Sequence, residues 1–428
     1  MTMRVLFSVV LLMWGISIGL TSAPAPLSPA PSAGTLLPGP AAPAPVTRQD
    51  NDACLSCHDD PEVEAEDGRS VVVVGSRYAE SVHGGLEMDC TACHTDLERA
   101  ELPHEPKLQK VDCSSCHEEA VAAYDVSIHA VARRQGNGSV SATCVDCHTA
   151  HYTRASTDPE SPTYPLNLPA TCSKCHGNAD VIAKGHIAAG NVSAQFNDSI
   201  HGRAITRSGL LVSANCTSCH GAHDVRKKDD PQSRVFRANI PQTCATCHEG
   251  IQAQFSRGAH GQALASGNTK GPVCTDCHSA HQIQRADAAS WRLDTITECG
   301  TCHADKIRTY RDTFHGQVTS LGFVRTAKCA DCHGAHEVHP KSDARSMVSP
   351  ERVLQTCQSC HADATPSFAQ YDPHADRNDK ERNPELHFAA RAMHGLLFGV
   401  FGFFGVHALL WLPRSMAERR RRNREPHA

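Results

Sequence analysis

Eleven times the chain repeats two cysteines three residues apart with a histidine directly after the second. The copies are Cys54/Cys57/His58, Cys90/Cys93/His94, Cys113/Cys116/His117, Cys144/Cys147/His148, Cys172/Cys175/His176 and Cys216/Cys219/His220, then Cys244/Cys247/His248, Cys274/Cys277/His278, Cys299/Cys302/His303, Cys329/Cys332/His333 and Cys357/Cys360/His361. They use all 22 cysteines and leave none for a disulfide. Two thiols at this spacing form thioethers to the two vinyl groups of one haem, and the next residue, His, takes the iron as its proximal ligand. A disulfide framework explains an even cysteine count but not the histidine. Zinc ribbons also use CxxC pairs but make no demand on the following position. A thioredoxin-like redox motif would occur once.

On these motifs the chain resembles the multihaem c-type cytochromes, of the cytochrome c3-like and decahaem-type periplasmic kind, from residue 54 to about 374. The resemblance implies eleven covalent haem c groups, periplasmic maturation and electron transfer.

Seventeen of the 28 histidines remain after the proximal ligands are assigned. The motifs alternate between two types. One type is followed by a spacer and then a histidine: His83, His129, His201, His260, His315 and His374. The other is followed at once by a second histidine, as in "CADCHGAH": His151, His223, His281 and His336. The copy at 90–94 carries Leu97 in that place, and His104 stands in for it. That makes one distal histidine per haem, in five two-haem units starting at 54, 113, 172, 244 and 299 and a half unit starting at 357. Histidines three apart on one helical turn share a face, so both cannot hold one iron from opposite sides. His336 must therefore serve a different haem from the one His333 holds. His339 is surplus or an alternative to His336, and His186 competes with His201. Between residues 24 and 386 only Met88 and Met347 could act as thioether ligands, so the ligation reads as bis-histidine and of low potential.

Aromatic residues make up only 5% of the chain, too few for ordinary cores in 428 residues. The fold class expected is that of a multihaem cytochrome c: loops and short α-helices organised around haem in a repeat-built, elongated body, with one C-terminal transmembrane helix. The stretch "SVVVVG" at 70–75 reads as a short strand. Residues 1–23 form a secretory signal or an uncleaved anchor, and 24–49 a Pro/Ala-rich linker. The cytochrome domain spans 50–376, a linker 377–387, an apolar span 388–413 and a basic tail 414–428. The arginines of that tail belong in the cytoplasm, which puts the body in the periplasm. His394 and His407 lie inside the span, where either could hold a b-type haem with a partner, although packing histidines explain them equally. The tail "GVHALLWLPRS" is similar to that of membrane-bound multihaem cytochromes that work beside a cytochrome b.

Without the tail and Arg4 the formal charge of −5 becomes about −10, which excludes nucleic acid and suits basic redox partners. The expected function is an inner-membrane electron carrier. It would draw on the quinol pool through a cytochrome b-like partner and deliver to periplasmic or outer-membrane acceptors. The rival, a reductase of nitrite, hydroxylamine or a sulfur oxyanion, needs an iron with an open position, and the 90–94 copy is the weakest point against it.

Overall fold

A computed structural model describes residues 50–187 and 190–423. The signal and linker at 1–49, and the end of the basic tail, lie outside the described residues. Within them the chain is helical, and its only β pairing is a single bridge between Glu64 and Ser70. The strand expected at 70–75 does not form, because the backbone there is used for other contacts. Val73 donates its N–H to the His58 carbonyl at 2.7 Å, and Val74 donates to the Tyr152 hydroxyl at 2.9 Å. Gly75 then opens a helix, Gly75–Ala79.

The second motif of each of the last four complete units is a single helical turn: Cys144–His148, Cys216–His220, Cys274–His278 and Cys329–His333. The residue before the second cysteine explains where each turn starts. The carboxylates of Asp146, Asp276 and Asp331 accept from the backbone N–H of Thr143, Val273 and Lys328 at 2.6, 2.6 and 2.8 Å. Ser218 does the same for Asn215 at 3.1 Å. Each satisfies a backbone donor that a helix start leaves exposed.

The turn ends at the histidine, because the following residue has positive φ: Thr149 (66°), Gly221 (82°), Ser279 (61°) and Gly334 (82°). With ψ near 170° this is a region that essentially only glycine occupies at low cost. The second histidine of each HxxH therefore does not sit on a shared helical turn, as the sequence reading assumed. The chain reverses after the first histidine and carries the second one away.

Short helices carry the spacer histidines: Val82–Gly85, Ile128–Ala132, Ile200–Ser208, Ala259–Ala265 and Phe314–Ser320. Buried Ser81, Ser127, Ser199 and Thr313 cap four of them. One clasp joins consecutive units. The residue before the spacer histidine donates its N–H to the carbonyl two residues beyond the next unit's early histidine. The pairs are Val82 to Thr153, Ile128 to Val225, Ile200 to Ile283 and Ala259 to Val338, at 2.7–2.8 Å. Each unit thus holds its neighbour, as in other repeat arrays.

Side chains fill little of the interior. Among the described residues the buried hydrophobic set is Ala130, Ile205, Val273, Ile296, Tyr310 and Ala364. Six residues cannot organise so large a body, so the interior needs cofactor surface. Beyond the body, one helix runs from Pro384 to Arg422 with no buried residue. It is long enough to cross a membrane, and its most apolar 18-residue stretch has a mean hydropathy of 1.9. None of that apolar stretch is packed into the rest of the described chain.

Candidate haem sites

The histidine rings stand in pairs. His58 faces His104, His117 faces His83, and His94 faces His151. His176 faces His129, His148 faces His223, His248 faces His201 and His220 faces His281. His303 faces His260, His278 faces His336, His361 faces His315 and His333 faces His374. All eleven pairs have ring centroids 6.0–6.3 Å apart, and each joins one CxxCH histidine to one other.

That distance identifies the geometry. Two imidazoles on opposite sides of one metal, with bonds of about 2.0 Å, put their ring centres about 6.3 Å apart, whereas a tetrahedral ion brings them to about 5.1 Å. The rings are thus spaced for trans ligation. No group of three His, Cys, Asp or Glu among the described residues could hold a metal by itself. None of the 22 cysteines is bridged.

Burial lowers the pKa of six CxxCH histidines: His94, His148, His176, His220, His278 and His333. It does the same for the facing rings of His129, His151, His201, His260, His281, His315, His336 and His374. Neutral imidazole has the lone pair that a metal takes. Several rings are aimed through Nδ1, which leaves Nε2 to the metal. His58 Nδ1 lies 2.9 Å from the Val71 carbonyl, His104 Nδ1 lies 2.8 Å from the Glu105 carbonyl, and His374 Nδ1 lies 3.0 Å from Thr309 Oγ1. Val71 thereby gives the 70–75 stretch a role that the sequence left without one.

Buried polar atoms without a protein partner supply a second test of fit. Thr91 Oγ1, Thr149 Oγ1, Ser349 Oγ, His94 Nδ1 and Trp291 Nε1 are of this kind. Unpaired buried donors are costly, and a cofactor with carboxylate side chains would answer them. Trp291 also stacks on His278, with centroids 5.1 Å apart and planes 7° from parallel.

The pairing runs largely between units. His336 stands against His278, not against its sequence neighbour His333. His104 stands against His58, and the 90–94 copy is partnered by His151. The copy that looked weakest in the sequence thus has a facing ring. His186 is exposed and enters none of the ring pairs among the described residues. His339 is buried, with Nε2 3.3 Å from Glu337 and Nδ1 3.5 Å from Asp343. It repeats Arg154 with Asp158 and Arg226 with Asp230, both at 3.0 Å. In all three copies a serine three residues beyond the aspartate donates to the carbonyl of the basic residue: Ser161, Ser233 and Ser346. His339 thus holds the structural place that Arg154 and Arg226 hold in the earlier copies, which the sequence reading did not recognise because it did not align 154, 226 and 339.

The attachment turns are also in contact. The first thiols of the two motifs of each unit stand against each other: Cys54 with Cys90, Cys113 with Cys144, Cys172 with Cys216, Cys244 with Cys274 and Cys299 with Cys329. The last thiol of each unit instead neighbours the motif that opens the next. Cys93 stands by Cys116, Cys147 by Cys172 and Cys175, Cys219 by Cys244 and Cys247, Cys277 by Cys299 and Cys302, and Cys332 by Cys357 and Cys360.

The sequence reading gave both thiols of a motif one and the same role, and in the opening motif of each unit their settings differ. There the second thiols, Cys57, Cys116, Cys175, Cys247 and Cys302, do not enter the close thiol pair that the leading cysteine makes. Cys57, Cys116, Cys247 and Cys302 are exposed, and Cys175 is half-buried. Cys116, Cys175, Cys247 and Cys302 still lie beside the closing motif of the unit before, whereas Cys57 belongs to the first unit and has none before it. Its Sγ is 3.9 Å from Ser56 Oγ, as Cys116 Sγ is from Ser115 Oγ, and Cys302 Sγ is 3.8 Å from Thr301 Oγ1. Cys144, Cys277 and Cys360 are exposed as well.

Known proteins point the same way. Residues 210–253 match the family described as "Doubled CXXCH motif", and residues 243–334 match "Cytochrome c554 and c-prime". The Escherichia coli "Cytochrome c-type protein NrfB" is 28% identical over 180 residues, which cover 38% of this chain and 88% of that protein. No solved structure matches. A chain that binds haem c through repeated CxxCH turns and matches cytochrome families along its middle belongs to the multihaem c-type cytochromes.

Proposed function

We propose that this chain is a membrane-anchored undecahaem cytochrome that carries electrons and catalyses no reaction of its own. The observation that carries the reading is the set of eleven histidine pairs at trans spacing. With a ring on each side of every iron, no position is left open for nitrite, hydroxylamine or a sulfur oxyanion, which speaks against the reductase reading.

Haem, once attached, supplies one-electron carriers; the chain supplies their ligands, order and surroundings. Its contribution begins with the cysteine contacts, which run in sequence order from Cys54 to Cys360 and favour an uninterrupted relay. The thioether role of every second cysteine is part of this proposal, including Cys57, Cys116, Cys175, Cys247 and Cys302 with their more open settings. Most distal histidines come from a motif or unit other than the one they serve, so ligation and packing are one interaction. Imidazole ligands on both sides favour low potentials.

The apolar helix Pro384–Arg422 would anchor the body, with its arginine-rich end in the cytoplasm and the haems in the periplasm. Electrons would come from a quinol-oxidising, cytochrome b-like membrane partner and leave to periplasmic or outer-membrane acceptors. His394 and His407 are available on that helix for a b-type haem shared with the partner. The direct test is intact mass, which should give eleven haems per chain, with carbon monoxide added to the reduced protein. Binding at one or more irons of the wild type would favour the reductase.

A further inference from the structure

The repeat is interrupted halfway through its sixth unit, and the interruption leaves two features without their usual partner. In each of the five complete units the first motif's leading thiol stands against the second motif's leading thiol. Cys357 opens a sixth unit whose second motif is missing, because the chain passes from 361 to the apolar helix without another cysteine.

The second feature is the clasp. Four times the residue before a spacer histidine donates its N–H to the next unit's early-histidine loop. At the fifth junction the corresponding donor is Phe314. Its N–H meets no acceptor among the described residues. The position equivalent to the earlier acceptors, two beyond His374, is Asp376. Its carbonyl accepts from Asp379 N–H at 3.1 Å, and its carboxylate is taken by Arg308. Phe314 is 76% exposed, against 41% for Val82 at the same place in the first unit. Phe368, which packs on His361 with ring centroids 5.1 Å apart, and Tyr371 are exposed nearby in sequence.

We propose that this open half unit, at Phe314 and Cys357, is the docking face for a second, different c-type cytochrome that presents a CxxCH-x-x-H loop. The occupant follows from continuity with the interface used four times within the chain. What fits against the residue before a spacer histidine is the carbonyl two residues past an early histidine. What fits against a leading thiol is the leading thiol of a haem-attachment turn. Ends of repeat arrays need a cap or a partner, and here the missing cap would be haem-bearing. One electron would pass between the ferrous haem held at His361 and a ferric haem of the partner, with no bond made or broken. The proposal rests on the haem reading above.

The test uses the full-length protein in its own membranes, with the photo-reactive residue benzoylphenylalanine at 314. Cross-linked products are haem-stained, and the joined peptides are sequenced. The expected result is a peptide from another CxxCH protein, joined near a CxxCH-x-x-H loop. The same label at Val82 should join to residues 151–153 of its own chain. Products containing lipid, a haem-free protein, a second copy of this chain, or no partner at all would overturn the proposal.

With the captured cytochrome in hand, Phe314→Pro and Phe314→Ala separate the clasp from the side chain. Proline is tolerated at the first helical position and removes only the N–H. Phe314→Pro should bind about fivefold more weakly than Phe314→Ala, the effect of one net hydrogen bond. Equal affinities would remove the clasp from the account. The intact mass of each sample reports haem content separately, so a fault in the haem reading would be seen as such.

Discussion

Replacing His281 by alanine isolates one distal ligand at the middle of the chain. His281 faces His220 at 6.1 Å with the rings 9° from parallel, and the loop that carries it comes from the following unit. An alanine Cβ falls well short of the iron, and no other histidine ring pairs with His220 among the described residues. In His281→Ala the iron held by His220 should therefore become open, while ten haems stay closed. Reduced protein should bind one carbon monoxide per chain, which is about one-eleventh of the total haem, against none in the wild type. The mutation also cuts a tie between units. What remains there includes the backbone bond from Ile200 N–H to the Ile283 carbonyl at 2.7 Å, worth only about 0.5–1.5 kcal/mol net. The thermal transition should fall accordingly. His186→Ala, at an exposed histidine that faces no ring, should leave both readouts unchanged. If His281→Ala binds no carbon monoxide, or His186→Ala does, the pairing of rings with irons is wrong.

Other expected outcomes follow from local geometry. Ser279 has φ 61° and ψ 176°, so Ser279→Gly should raise stability by about 0.5–2 kcal/mol after the chain-entropy cost, seen as a higher denaturation midpoint; a loss would refute the strain. His339→Arg should keep all eleven closed haems in the visible spectrum, because arginine holds the equivalent site at Arg154 and Arg226; loss of one would make His339 a ligand. Asp158 is held below the usual carboxylate range by the Glu160 backbone N–H and Arg154, Asp230 by the Gln232 backbone N–H and Arg226, and Asp343 by Arg345. Their depressed folded pKa values stabilise the fold above the unfolded value near 4, and that contribution is lost as pH falls below it. An acid transition above pH 5 in circular dichroism would contradict this. Chain made without haem attachment should show little helical circular dichroism, since six buried hydrophobic residues cannot hold it; a helical, cooperative apo form would overturn that view.

The sequence carried most of the site because each haem position writes two local marks, a CxxCH and a spaced histidine. Their counts match without any knowledge of packing. What it could not carry was which histidine meets which motif. The partner of His58 is His104, and that of His94 is His151; this depends on how consecutive units cross, and therefore on the clasp at Val82 and Thr153. The helical-turn argument for HxxH assumed the wrong local structure, and the rings of His333 and His336 face different partners, His374 and His278. Thr149 and Ser279 lie where glycine is expected, so composition concealed the reversal that Gly221 and Gly334 suggest. The unequal settings of Cys54 and Cys57 were equally hidden, since a motif names two thiols without saying which one a neighbour covers. The valines at 71–74 carry strand propensity, but tertiary contacts to His58 and Tyr152 overrode it. His339 read as surplus or as an alternative to His336, while its carboxylate neighbours Glu337 and Asp343 put it in the place of Arg154 and Arg226.

The central claim is that every iron has a nitrogen ligand on both sides. Electron paramagnetic resonance of the fully oxidised, full-length protein, with spin integrated against haem counted by mass, tests it most directly. The account predicts eleven haems per chain, all low-spin. It further predicts strongly anisotropic signals from the His83/His117 and His129/His176 sites, whose ring planes stand 63° and 66° apart. A stoichiometric high-spin signal, or a haem count well short of eleven, would contradict it.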